Sequence, residues 1–233
     1  MSPIKQNPRA EIALTRLGQL HPKLIDLGLD RTYALLEKCG QPHLNVPPVI
    51  HIAGTNGKGS TLAFIRAILE QHGKSVHVDS SPHLVRFNER IRLAGTLIDD
   101  DALADLLEHV EARNNGAEVT FFEVTTAAAM LAFSQTYADF TLLETGLGGR
   151  MDSTNIIDHP KVTIISPIAR DHEHFLGNTI SAIAREKAGI MKPGVPVISA
   201  SQHPEAEAVL CNHARTLQCP FIHIGTDIRI THH

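Results

Sequence analysis

No apolar run in the 233-residue sequence approaches the ~20 residues that a helix needs to cross a bilayer. The first residues, MSPIKQNPRAEIALTRL, also lack the apolar core of a secretory signal. A membrane protein is therefore not expected, and the cytoplasm is the expected compartment. A basic excess is missing too. With 21 Lys and Arg against 25 Asp and Glu the formal net charge is −4, which argues against bulk electrostatic binding of nucleic acid. Cysteine is scarce. Cys39, Cys211 and Cys219 are odd in number and form no CxxC pair, so they read as free thiols in a reducing compartment, without an assigned function. No internal repeat or low-complexity segment stands out.

What is present describes a soluble globular chain, 42% hydrophobic and 20% charged, long enough for one α/β domain with a sizeable core. The 15 histidines make the charge sensitive to mild acid, and most read as solvated surface residues. Residues 9–20 and 29–39 read as short amphipathic helices around the loop HPKLIDLGLDRT, with Asp30 placed to cap the second. After Pro47 and Pro48 comes a short buried strand, Val49 to Ala53. A helix from Ser60 to His72 puts Leu62, Ile65 and Leu69 on one face, and Gly73 stops it.

Further strands are expected at Ser75–Val78, Phe140–Glu144, Val162–Pro167, Val195–Ala200 and near 220–224. Further helices are expected at Asp101–Arg113, Glu123–Tyr137, Thr179–Met191 and 204–216. Strands alternating with helices imply an α/β fold with a mainly parallel sheet covered on both faces.

The segment IHIAGTNGKGST has the order strand, glycine-rich turn, helix that cradles phosphate. Gly54, Gly57 and Gly59 let the backbone turn tightly and point N–H groups inward, and Thr55 and Asn56 are expected to bind ATP with them. The helix N-terminus favours an anion. Lys58 is placed to neutralise ATP phosphates, and Ser60 or Thr61 to offer a hydroxyl to phosphate or Mg²⁺. The spacing departs from the standard P-loop. Two residues, not four, separate Gly54 from Gly57, and Gly59 follows the lysine. The second glycine-rich segment, ETGLGGRMDSTN, misses the dinucleotide fingerprint because Met151 stands where its third glycine belongs, which leaves a dinucleotide fold as the alternative.

Four segments in series, AGTNGKGST, SSPHLVRFNERIRL, ETGLGGRMDSTN and ARDHEHFLGNTISAIAREKAGIMKPG, resemble the N-terminal, ATP-binding domain of the dihydrofolate synthase/folylpolyglutamate synthase family, relatives of the Mur cell-wall ligases. KLIDLGLDR and TFFEVTT resemble the bifunctional bacterial type. The resemblance runs from about residue 10 to about residue 200. It implies a Mur-ligase-like P-loop-type sheet and an ATP-dependent ligation. In that reaction ATP phosphorylates the carboxylate of dihydropteroate or of a reduced folate. The amine of L-glutamate then attacks the acyl phosphate.

By the same resemblance one or two Mg²⁺ ions are held by Ser81, Glu144 and His172, and Lys187 becomes a CO₂-derived carbamate that serves a second metal. Lys58, His172 and Lys187 are then the catalytic set. Imidazole is a mediocre ligand for so hard a cation, which makes His172 the least comfortable ligand on chemical grounds. The pterin pocket is implied at Ile25, Asp26 and Leu27, at Thr120, Phe121, Phe122 and Glu123, and at Met151, Asp152 and Ser153. A carboxylate suits the pterin's amino and ring N–H donors, and an aromatic ring can stack on it.

Pro167 and Arg170 depart from the family pattern, where small or apolar residues are more usual. Full members continue into a second, smaller domain, so residues 1–233 are expected to be an incomplete N-terminal ligase domain, and a monomer. Two alternatives stay open: a Mur-type ligase acting on a cell-wall precursor, and a non-catalytic ATP-binding fragment.

Overall fold

The computed structural model describes residues 8–19 and 25–229. Parts of the expected loop at 21–32 and the end of the first expected helix therefore lie outside the described residues. The framework is an eight-stranded sheet. Its strands are Val49–Ala53 (β1), Val76–Asp79 (β2), Ile91–Leu93 (β3), Thr96–Leu97 (β4), Phe140–Glu144 (β5), Val162–Ile165 (β6), Val197–Ser199 (β7) and Phe221–His223 (β8). They lie in the order β4-β3-β2-β5-β1-β6-β7-β8. From β2 to β8 the strands run parallel, and β3 and β4 close one edge antiparallel. The helices are Pro8–Leu17 (α1), Asp30–Lys38 (α2), Lys58–Gln71 (α3), Asp100–Asn114 (α4), Phe121–Gln135 (α5), Glu173–Leu176 (α6), Ile180–Ala188 (α7) and Pro204–Thr216 (α8).

Alternation along the strands assigns the faces. Ile52, Val76, Val78 and Leu142 pack with Leu62 of α3 on one side. Val49 and Leu143 point to the other side, into a core that contains Phe133 and Met130 of α5 and Leu103 and Leu107 of α4. Ala53, Ile165 and Val197 meet α7 and α8 in a further cluster. Helix α5 is apolar nearly all round because it is enclosed, with Val124 and Ala127–Ala129 fully buried. Burying Phe133 alone contributes about 1.5–3 kcal/mol of transfer free energy.

Several local expectations need correction. Asp30 is the first residue of α2 rather than its cap; Leu29 precedes it with no side-chain cap. Helix α5 starts two residues before Glu123, because Thr120 and Glu123 form a reciprocal capping box around its first turn. The β3–β4 hairpin was not anticipated. Its strands are too short to show alternation, and Ala94 and Gly95, both at positive φ, make the turn between them. Not every histidine is solvated, since His51 and His77 are fully buried. Cys39, Cys211 and Cys219 are free, and burial pushes each thiol pKa up. Among the described residues no helix is long and apolar enough to cross a membrane.

In a parallel sheet the crevice for ligands opens at the carboxyl ends of the strands, where connections diverge. Here β1 lies between β5 and β6, so Gly54, Glu144 and Ser166 emerge side by side. Asp79 ends β2 on the far side of β5.

Candidate active site

The turn after β1 is built on two unusual glycines. Gly54 has φ +151°, and a Cβ there would lie 1.9 Å from Ser166 Oγ. Gly57 has φ +81° and caps α3. Not all of the turn's amides face a ligand, contrary to expectation. Those of Thr55 and Asn56 donate to the Pro167 carbonyl at 3.0 and 3.2 Å. The Thr55 hydroxyl donates to the Ala169 carbonyl, and the Ala169 amide donates back to it, both at 3.1 Å. These two residues therefore latch the turn to the segment after β6. Pro167 serves that latch, and Arg170 is exposed.

The donors left for an anion belong to the helix itself. The first helical bond runs from the Thr61 amide to the Gly57 carbonyl, so the amides of Lys58, Gly59 and Ser60 are first-turn donors without helical acceptors. Lys58 Nζ stands 3.5 Å from the Thr55 carbonyl and 4.0 Å from Glu144 Oε1.

Glu144, at the end of β5, is only 5% exposed. Burial raises its pKa, while Lys58 and the Ser81 amide oppose that rise. The Ser81 amide donates to Glu144 Oε2 at 3.3 Å. Lys187 reaches across from α7, is 4% exposed, and donates to the Gly54 carbonyl at 2.8 Å. Burial, reinforced by Lys58 and opposed by Asp171 and Asp152, lowers its pKa to about 8. His172 sits at φ +50° before α6, half exposed, with its ring near Asp171.

A cavity of about 430 Å³ reaches from part of this set to the expected pterin wall, with Glu144 and Lys187 not among its lining residues. It is lined by Lys58, Ser81 and His172. Its wall also includes Ile25, Asp26 and Leu27, Thr120, Phe121 and Phe122, and Met151, Asp152 and Ser153. Of the expected pterin residues, Glu123 is the exception. It is 1% exposed, accepts the Thr120 amide at 2.7 Å and is clasped by Arg31 at 3.0–3.2 Å. Its carboxylate is consumed by the cap and the ion pair, so its role is structural. Arg31 also grips Asp26, through its carboxylate at 2.9 Å and its carbonyl at 2.7 Å. Two segments of the wall are thereby tied together.

The two phenylalanines are both wall and packing. Phe121 meets Phe87 edge-on, with ring centroids 5.8 Å apart. Phe122 lies so close to Gly146 that a Cβ there would be 2.5 Å from its ring. Asp152 is 2% exposed. Its Oδ2 accepts the Leu147 amide at 2.8 Å, and its Oδ1 accepts the amide and hydroxyl of Thr154 at 3.0 and 2.6 Å. Burial raises its pKa, and these hydrogen bonds oppose the rise.

The sequence reading missed Arg90 and Asp79. Arg90 lines the cavity, donates to His83 Nδ1 at 2.9 Å and stacks over Phe87 at 5.2 Å. Asp79 has its pKa raised to about 8 by burial, then by Asp152, with Glu144 adding and Arg90 opposing. Both lay within reach of a simple rule: a charged residue at the end of an expected strand, or beside a recognised motif.

A family model described as the Mur ligase middle domain matches residues 52–225. A dihydrofolate synthase/folylpolyglutamate synthase of Bacillus subtilis is 44% identical over 201 residues, covering 83% of this chain and 46% of that protein. The Escherichia coli protein of the same name is 40% identical, covering 84% and 47%. The solved structure of E. coli FolC in complex with DHPP and ADP superposes with a TM-score of 0.87 at 36% identity, over 99% of this chain and 54% of that one. A complex of FPGS with AMPPCP and folate gives 0.87 at 34% identity, over 96% and 57%. The chain spans about half the length of the curated relatives it matches.

Proposed function

The chain belongs to the Mur ligase middle domain family, and from that premise we propose that it is the ATP- and pterin-binding part of a ligase that joins L-glutamate to dihydropteroate and to reduced folates. The observation that carries this reading is the single cavity whose walls include both the phosphate-loop lysine, Lys58, and the Asp26, Phe122 and Asp152 segments. The dihydrofolate synthase/folylpolyglutamate synthase relatives, and the solved complexes with ADP and DHPP and with AMPPCP and folate, support it by likeness.

The chemistry is the one that the family resemblance implies, and the geometry suits it. Two anions, a carboxylate and the ATP γ-phosphate, must meet, and the barrier is chiefly one of positioning and charge neutralisation. Lys58 and the first-turn amides of α3 hold the phosphates. Carboxylate oxygen attacks the γ-phosphorus and ADP leaves. The deprotonated glutamate amine then attacks the acyl carbon, the tetrahedral adduct collapses, and inorganic phosphate departs as the amide forms.

Mg²⁺ fits the donor set in part. Ser81 and Glu144 carry oxygen donors and adjoin through the Ser81 amide, which suits a hard cation that keeps waters and phosphate oxygens in its remaining positions. Among the described residues no group of three His, Cys, Asp or Glu side chains forms a ready-made metal cage, while His172 lines the same cavity as Ser81. Bound there, Mg²⁺ would neutralise charge developing between the phosphate oxygens.

For the carbamate on Lys187, the supporting feature is burial, which lowers the amine's pKa to about 8 and so raises the share of the neutral form that reacts with CO₂. Amine and CO₂ combine to a carbamate with loss of one proton. A monomer is the state this reading assumes.

The test is ADP release by this chain with dihydropteroate and glutamate, set against a UDP-sugar peptide precursor. Release with dihydropteroate alone supports the folate reading. Release with the UDP-sugar precursor alone replaces it with a cell-wall ligase. ATP binding without amide formation assigns the chain to a nucleotide-binding portion that needs a second domain.

A further inference from the structure

His51 lies in β1, two residues before the strand runs into the phosphate turn, and is fully buried. Its Nε2 is 2.9 Å from Thr154 Oγ1, and Thr154 Oγ1 is 2.6 Å from Asp152 Oδ1. A threonine hydroxyl carries one proton. Both Asp152 oxygens already accept backbone amides, from Leu147 and Thr154, so Asp152 is an acceptor and the hydroxyl proton points to it. Thr154 Oγ1 must then accept from His51, which fixes the ring as the Nε2–H tautomer. Nδ1 accordingly has no partner among the described residues. Burial keeps the ring neutral, with its pKa near 3.

The geometry points to His51 as a positioning residue for pterin recognition, acting through Thr154 to hold the Asp152 carboxylate in the cavity wall. This rests on the reading of the cavity as a pterin site. Thr154 fills both acceptor positions of Oδ1, which fixes the carboxylate's plane, so a substrate N–H would be accepted at Oδ2, beside the Leu147 amide. The histidine does not touch substrate. It orients the hydroxyl that orients the acceptor. A histidine that merely satisfied the core would leave substrate affinity unchanged once the fold was intact.

Two measurements test it. The ring ¹⁵N shifts of His51 should show a protonated Nε2 and a bare Nδ1 between pH 5 and 8; an Nδ1–H tautomer would overturn the relay without any substrate. Affinities for dihydropteroate and for AMPPCP then separate recognition from folding. Thr154→Val and His51→Asn should weaken dihydropteroate binding by about tenfold, the scale of one lost hydrogen bond to a charged group. AMPPCP binding should stay within about twofold, since its groups lie outside the relay. His51→Gln reaches as far as Nε2 with an N–H and should recover most of the loss, as should Thr154→Ser. His51→Asn should add nothing to Thr154→Val. Unchanged dihydropteroate affinity in Thr154→Val, or equal losses for both ligands, overturns the relay alone. A wild-type chain that binds no dihydropteroate overturns the reading of the cavity beneath it.

Discussion

Arg31→Ala should destabilise the chain far more than a partly exposed arginine would suggest. The guanidinium makes contacts of 3.0–3.2 Å with Glu123, whose side chain is 1% exposed, and of 2.7–2.9 Å with Asp26. Removing it strands a buried carboxylate that keeps one backbone donor, the Thr120 amide at 2.7 Å. Breaking a fully buried pair costs about 3–5 kcal/mol. Arg31 itself is 29% exposed and the cap bond survives, so a loss of about 2–3 kcal/mol is expected.

Urea unfolding followed by circular dichroism would show this as a lowered midpoint at unchanged slope. Adding Glu123→Gln should recover roughly half the loss, because a neutral amide tolerates burial better than an unpaired charge. A loss below about 0.5 kcal/mol, typical of a surface pair, would refute the reasoning. So would a Glu123→Gln double variant no more stable than Arg31→Ala.

Other substitutions probe the site more locally. Gly146→Ala places a Cβ 2.5 Å from the Phe122 ring; overpacking of about 1–3 kcal/mol should lower the melting temperature and weaken dihydropteroate binding, as calorimetry would show. Gly54→Ala meets both a positive φ and Ser166 Oγ at 1.9 Å, so AMPPCP binding should be lost, and Ser166→Gly should restore only the part due to the clash. The buried His51, with its pKa depressed from 6.5 to about 3, stays unprotonated on folding while the unfolded chain takes up a proton. Its contribution is therefore full above about pH 6.5 and is lost as pH falls toward 3, at up to ~1.4 kcal/mol per pH unit; the stability–pH slope of His51→Gln should be shallower than wild type across that window.

The phosphate turn was legible because its three signals coincide locally: an apolar strand, glycines where the backbone turns, and a lysine opening a helix. The parallel sheet was legible because the alternation of strand and helix patterns implies crossovers. The cavity wall was named from resemblance, and nine of its ten expected pterin residues do line one cavity. Glu123 was misplaced because a glutamate three residues after a threonine also spells a capping box, and sequence does not say which role a carboxylate serves. Arg31 was passed over because its partners lie 5 and 92 residues away. Thr55 and Asn56 looked like phosphate donors, yet their amides are committed to Pro167, a pairing set by β6 packing beside β1. Non-local pairings of this kind leave no periodic trace in the chain.

The most direct test of the central claim is calorimetric titration of dihydropteroate into the chain saturated with AMPPCP, using wild type, Lys58→Ala and Asp152→Ala. One cavity with a phosphate end and a pterin end predicts that wild type binds both ligands together, Lys58→Ala loses AMPPCP, and Asp152→Ala loses dihydropteroate while keeping AMPPCP. Dihydropteroate binding that is indifferent to Asp152, or AMPPCP binding that is indifferent to Lys58, would contradict it.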